Sequence, residues 1–180
     1  FITFTDLISG WSRVYGMTSY ADIVPSTAKF LQGVTRNGHR PRMLRSDNFS
    51  NYRSAAMREL LDHYNMEQQF IVPYCSWMIG KAEKLNHTLW SAATALLYAA
   101  RLEPCFWWLA VAHANWLHDY LPHANSSTPT SRLRGNSPLD GATIKSLHTF
   151  GDDAVAFRSG GKTGALNVKG RLGIWVGRSM

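Results

Sequence analysis

The chain has 180 residues, is 45% hydrophobic and 17% charged, and carries 19 Lys+Arg against 12 Asp+Glu for a formal net charge of +7. That length gives one domain, or one with an appendage, and a sizeable core; the apolar content excludes a disordered tail. The basic excess favours a polyanionic partner, nucleic acid before an anionic membrane.

No apolar run approaches the roughly 18 residues of a membrane span, and the densest, Phe106 to Ala112, stops at His113. No membrane partner is therefore expected. The N-terminus shows no secretory signal pattern. Cys75 and Cys105 form no CxxC and have no His at zinc-ligand spacing, which argues against a disulfide scaffold and a structural zinc and favours a reducing, intracellular compartment. Because it opens on Phe1 in a strand-like run and ends at Met180 after another, the chain reads as a fragment.

In chain order, Phe1 to Ile8 and Trp11 to Tyr15 are β-rich and separated by Ser9-Gly10, which predicts a hairpin with a two-residue turn. Asp6 reads as a polar, outward strand residue. Ile23, Val24, Phe30, Leu31 and Val34 recur at helical spacing, with Pro25 tolerable in a first turn and Asn37-Gly38 a stop. Arg42 to Ser46 reads as a strand running into Asp47. Met57, Leu60, Leu61 and Tyr64 mark a helix face, and Gln69 to Val72 a short strand closed by Pro73. The predicted order to this point is ββαβαβ.

A loop to Gly80 leads into a long helix with Leu85, Leu89, Ala92, Ala93, Leu96 and Ala100 on one stripe, ended by Arg101-Leu102-Glu103-Pro104. A second helix carries Phe106, Trp107, Ala110, Trp116 and Leu117. Its Trp107, Trp108 and Trp116 read as core or subunit interface, while Trp77 is placed for exposure in the loop before Glu83. His113, His118 and His123 lack acidic or Cys partners, which leaves them surface or capping roles. Residues 122–147 form a Ser/Thr/Pro/Asn-rich linker with a short helix, and residues 148–180 a β tail with strands at 148–150, 154–157 and 173–176. The core proper is then 1–121.

Two segments carry chemistry: Ser46-Asp47-Asn48 where a strand ends, and Gly80-Lys81-Ala82-Glu83-Lys84-Leu85-Asn86 where a helix begins, with 35 residues between the two carboxylates. Taken singly, each carboxylate is more simply a cap. The order is more specific: strand, Arg-Ser-Asp-Asn, helix, strand, Pro-Tyr, loop, Gly-x-Ala-Glu-x-x-Asn, long helix. Together with the Phe1 to Tyr15 hairpin, Phe150-Gly151 and the closing Gly173-Ile174-Trp175-Val176-Gly177, it resembles the catalytic core of retroviral-type integrases, in the copia-type retrotransposon branch, over nearly the whole chain.

The resemblance implies an α/β, RNase H-like mixed sheet flanked by helices, and strand transfer into DNA with two divalent cations, magnesium or manganese, held by three acidic residues. Hard cations about 3.5–4 Å apart activate the attacking hydroxyl and stabilise the leaving oxygen, and they take carboxylate oxygens. Asp47 matches the second acidic residue and Glu83 the third. The first belongs to a strand before Phe1, so the fragment is expected to be inactive alone. The family motif places nucleic-acid contacts at Asn48, Lys81, Lys84, Asn86 and His87. It further implies DNA and a homo-oligomer as partners and a nuclear location. The chain departs from the family in Cys75 to Ile79 and in Phe49, where the family has glycine and where a bulky residue would crowd the metals.

The group Arg36, His39, Arg40, Arg42 and Arg45 reads equally as a phosphate-contacting patch or a solvated face. Two rival readings stand beside the integrase one: a catalytically dead nucleic-acid-binding module derived from a retrotransposon, and an unrelated interaction domain with an exposed Trp107/Trp108/Trp116 face.

Overall fold

A computed structural model of the chain describes residues 1–71, 80–122, 127–135, 148–157 and 170–177. The predicted loop with Cys75 and Trp77, His123, and much of the linker lie outside the described residues. The chain divides into two compact units, Phe1–His87 and Thr88–Met180.

The first unit opens with the expected antiparallel hairpin, β1 (Ile2–Thr5) and β2 (Ser12–Tyr15), in register Ile2↔Tyr15 to Thr5↔Ser12. Period-two alternation buries Ile2 and Phe4 on one face and turns Thr3 and Thr5 to the other. The turn is longer than the sequence suggested. Asp6 N donates to Trp11 O at 2.8 Å and Gly10 N to Asp6 O at 2.9 Å, so four residues, Leu7 to Gly10, make the reversal, with Gly10 at φ 76°. Nor is Asp6 an outward strand residue. Its Oδ2 accepts the Ser9 amide at 2.7 Å and the Ser9 hydroxyl at 2.6 Å, which organises the turn.

Helix α1 (Ile23–Arg36) ends at Asn37 as its pattern predicted, and buries Ile23, Leu31 and Val34. Strand β3 (Met43–Ser46) lies parallel to β4 (Glu67–Phe70), in register Met43↔Glu67 to Ser46↔Phe70. β4 starts two residues before the predicted strand. Between them, α2 (Ala55–His63) is capped by Ser54, whose hydroxyl accepts the Met57 amide at 3.2 Å. Asn65, at φ 52°, then turns the chain so that Met66 N reaches back to Leu61 O at 2.9 Å and β4 begins at once. The core of this unit gathers Ile2, Phe4, Ile23, Leu31, Met57, Leu61 and Met66. Among the described residues the antiparallel hairpin and the parallel β3–β4 pair are two separate two-stranded sheets rather than one mixed sheet, in the α/β order that was expected.

Helix α3 (Gly80–Ala100) buries Leu85, Leu89 and Ala93, the predicted stripe. It stops at Arg101, which takes φ 53° while Leu102 N bonds Leu97 O at 3.0 Å. In the second unit, α4 (Trp107–Tyr120) packs with the short α5 (Pro129–Arg134), which Thr128 caps. The described parts of the tail form an antiparallel ribbon, β5 (Asp153–Phe157) with β6 (Gly170–Ile174). The strand expected at 148–150 is a turn instead. Asp152 N bonds Thr149 O at 3.1 Å and Asp152 Oδ2 accepts the Thr149 amide at 3.0 Å. Gly151, at φ 93°, sits so close on Ala100 that any side chain would collide.

His113 overturns its expected surface role. It is buried in α4 and stacked by Trp116 at 6.0 Å and Phe150 at 5.5 Å, with Trp175 edge-on at 5.1 Å. Its Nδ1 has no hydrogen-bond partner among the described residues, and burial holds its pKa below the ordinary 6.5. His118, half-buried, lies 3.2 Å from the buried Asp119. The Trp face of the third reading is absent too: Trp116 is buried, and Trp107 and Trp108 are half-buried.

Two outcomes are expected. Leu31→Ala, at a site only 1% exposed, should cost about 2–5 kcal/mol in urea unfolding. Because the unfolded chain protonates His113 more readily than the folded one, stability should fall as pH drops below 6.5. His113→Phe should flatten that dependence in thermal melts between about pH 8 and 5.5, on either side of the ordinary histidine value.

Candidate functional site

Asp47 follows the last ladder residue of β3. Among the described residues the pairing runs up to its edge, with Ile71 N donating to Ser46 O at 3.1 Å, and Asp47 is exposed at the carboxyl end of this parallel pair. Ligand sites in α/β sheets gather at such ends. One carboxylate oxygen, Oδ1, accepts the Phe49 amide at 3.2 Å. The Tyr52 phenol, within electrostatic reach of Asp47, is pushed up to about 12, by its burial first and the carboxylate charge second.

Phe49 occupies its position without strain, at φ −62° and ψ 140°, a backbone that does not require glycine. Its ring packs on Tyr20 at 4.8 Å, and Asn51 Nδ2 ties the same turn to Tyr20 O at 3.0 Å. The ring thus has a packing partner of its own.

Glu83 is exposed in the first turn of α3, where the helix dipole favours a carboxylate. Two other predicted residues of this helix have partners on the hairpin. Lys81 Nζ donates to Leu7 O at 2.8 Å, and Asn86 Oδ1 accepts the Thr3 hydroxyl at 2.6 Å. Asn48, Lys84 and His87 are exposed. Thr3 and the Leu7 carbonyl were not anticipated as site neighbours. The available signal was alternation, since burying Ile2 and Phe4 obliges Thr3 to face something else. Among the basic residues before Asp47, Arg45 is half-buried and its Nε donates to Gln69 Oε1 at 2.8 Å, whereas Arg36, Arg40 and Arg42 are exposed.

Carboxylates are the right donors for a hard cation. Among the described residues, however, no three His, Cys, Asp or Glu side chains converge, so these residues alone do not complete a two-metal centre. Nor is any described helix long and apolar enough to cross a membrane.

Solved structures place the fold. The HTLV-2 integrase catalytic core domain, determined in complex with magnesium in a trimeric form, is 19% identical with a TM-score of 0.57, over 72% of this chain and 81% of that one. The simian T-cell lymphotropic virus intasome in complex with PP2A regulatory subunit B56 gamma is 16% identical with a TM-score of 0.62, over 93% of this chain and 58% of that one. The fold is that of an integrase catalytic core, RNase H-like. In sequence, the retrovirus-related Pol polyprotein from transposon TNT 1-94 of Nicotiana tabacum is 30% identical over 123 residues, 68% of this chain. No family model matches. The sequence match and the shared fold together support an integrase core of an LTR retrotransposon, and copia type is consistent with them. The chain spans 9% of that polyprotein's length.

Loss of the Asp6 carboxylate should be felt at the hairpin tip. Asp6→Ala strands the Ser9 amide and hydroxyl and should destabilise the chain by about 1–3 kcal/mol in chemical denaturation.

Proposed function

We propose that this chain acts in integrase-type DNA strand transfer as part of a copia-type retrotransposon integrase, with a core over residues 1–121, a linker over 122–147 and a β tail over 148–180. The observation that carries the reading is the pair of exposed carboxylates at element termini, Asp47 at the end of β3 and Glu83 in the first turn of α3, in a chain of this family. Asp47 and Glu83 would be two of three carboxylates that hold divalent cations, magnesium or manganese. Bound there, such cations supply activation of a hydroxyl and stabilisation of a leaving oxygen. The magnesium in the HTLV-2 core supports the metal class.

Around the carboxylates, Asn48, Lys84 and His87 form the nucleic-acid side of the site, flanked by Lys81 and Asn86, which the family motif also assigns to DNA. A net charge of +7 supports phosphate binding there, and each phosphate neutralised releases counterions. The trimeric and dimeric forms of the HTLV-2 core support a homo-oligomer. A nuclear site of action accompanies DNA as substrate.

With two of the three carboxylates, the 180-residue chain should bind magnesium weakly, bind DNA with steep salt dependence, and perform no strand transfer. Magnesium should raise its DNA affinity, and Asp47→Asn or Glu83→Gln should each remove that increment in fluorescence-anisotropy titrations. Salt-dependent DNA binding indifferent to magnesium and to both substitutions would favour the catalytically dead nucleic-acid-binding module. Strand transfer by this chain, abolished by Asp47→Asn, would overturn the expected inactivity.

A further inference from the structure

We propose that Lys81 and Asn86 are positioning residues that clamp α3 to the β1–β2 hairpin and set its rotation, so that Glu83, Lys84 and His87 face outward together. The consequence for Glu83 rests on the integrase reading above; the clamp itself rests on geometry. At about 100° per residue, Leu85 and Leu89 lie about 40° apart on the helix circumference and mark its buried side. Lys81 and Asn86 fall on opposite flanks of that stripe, each about 60–80° from its centre. On the far side, Glu83, Lys84 and His87 share an arc of about 100° and all are exposed.

Both flanks are tied to the same hairpin. Lys81 reaches its tip through the Leu7 carbonyl at 2.8 Å, and Asn86 its β1 strand through the Thr3 hydroxyl at 2.6 Å. Five residues separate the two ties, about 7.5 Å along the axis. A single bond would leave the helix able to roll about the contact; two bonds, on opposite flanks and at different heights, oppose rolling in either direction. Sequence pattern assigns Lys81 and Asn86 to DNA, but both hydrogen-bond to the hairpin, whereas Lys84 and His87 lie on the exposed arc of the DNA face proposed above.

Thr3→Val separates the alternatives, because it removes the donor to Asn86 while Thr3 itself is no part of the proposed DNA surface. Hydrogen exchange of the amides in the first turns of α3 and the salt dependence of DNA binding are measured on the whole chain. In the clamp, Thr3→Val, Asn86→Leu and Lys81→Met each speed exchange and weaken DNA binding by about 2–10-fold, the range of one lost hydrogen bond. The slope of log affinity against log salt stays unchanged in all three, and Lys81→Arg restores both affinity and protection. Lys84→Met instead lowers that slope by about one.

The proposal is overturned if Lys81→Met lowers the slope as Lys84→Met does, or if Thr3→Val leaves exchange at the wild-type rate. Should Lys84→Met leave DNA binding untouched, the DNA face proposed above fails, and the exchange rates still decide the clamp.

Discussion

The first unit depends on burial of one face of a four-residue strand. Phe4 stacks on Phe30 of α1 at 4.5 Å and meets Tyr15 edge-on at 5.9 Å, while Ile2 joins the same cluster with Leu31, Met57 and Leu61. Because side chains alternate along a strand, burying residues 2 and 4 leaves no choice about residue 3. Thr3 must face away from that cluster, and there it meets Asn86. The position of the helix that carries Glu83 is thus a consequence of where two apolar side chains of β1 go, and a one-residue slip in the hairpin would undo both at once.

The carboxylate at Asp47 is held by a different and weaker device. The described β3–β4 ladder leads up to it, and beyond it side-chain hydrogen bonds and one aromatic pair shape the chain: Asp47 with the Phe49 amide, Phe49 with Tyr20, Asn51 with the Tyr20 carbonyl. Half-buried Tyr52, kept protonated well beyond neutrality, adds a fixed polar group without a competing charge. A rigid ladder ending in a short side-chain-braced turn is a common way to hold a reactive group, since the strand gives precision and the turn gives access.

Element order and type were legible because they rest on periodicity and on burial: the hairpin, α1, α2, the long stripe of α3 and the Trp-rich α4 all follow from apolar spacing. The corrections fall where side chains bond to nearby backbone. Asp6 with Ser9 lengthened the hairpin turn, and Asp152 with Thr149 replaced a strand by a turn, because a carboxylate close to free amides outbids a short β-prone run. His113 was misjudged for another reason. A lone histidine in a helix looks polar, yet its ring is flat and apolar enough to stack among Trp116, Phe150 and Trp175, residues up to 62 positions away that no local window sees. In the site, Asp47 and Glu83 stood out through their order in the chain, whereas the hairpin ties of Lys81 and Asn86 are long-range and have no local signature.

The contact between Lys81 and Leu7 is made to a main-chain oxygen. Every residue type supplies that oxygen, so substitutions at the exposed positions 7 and 8 leave the acceptor in place as long as the turn keeps its shape. The hairpin tip can therefore drift in sequence from one element copy to the next while the helix beside it stays anchored, and the burden of preservation moves to Asp6, Ser9 and Gly10, which hold the turn.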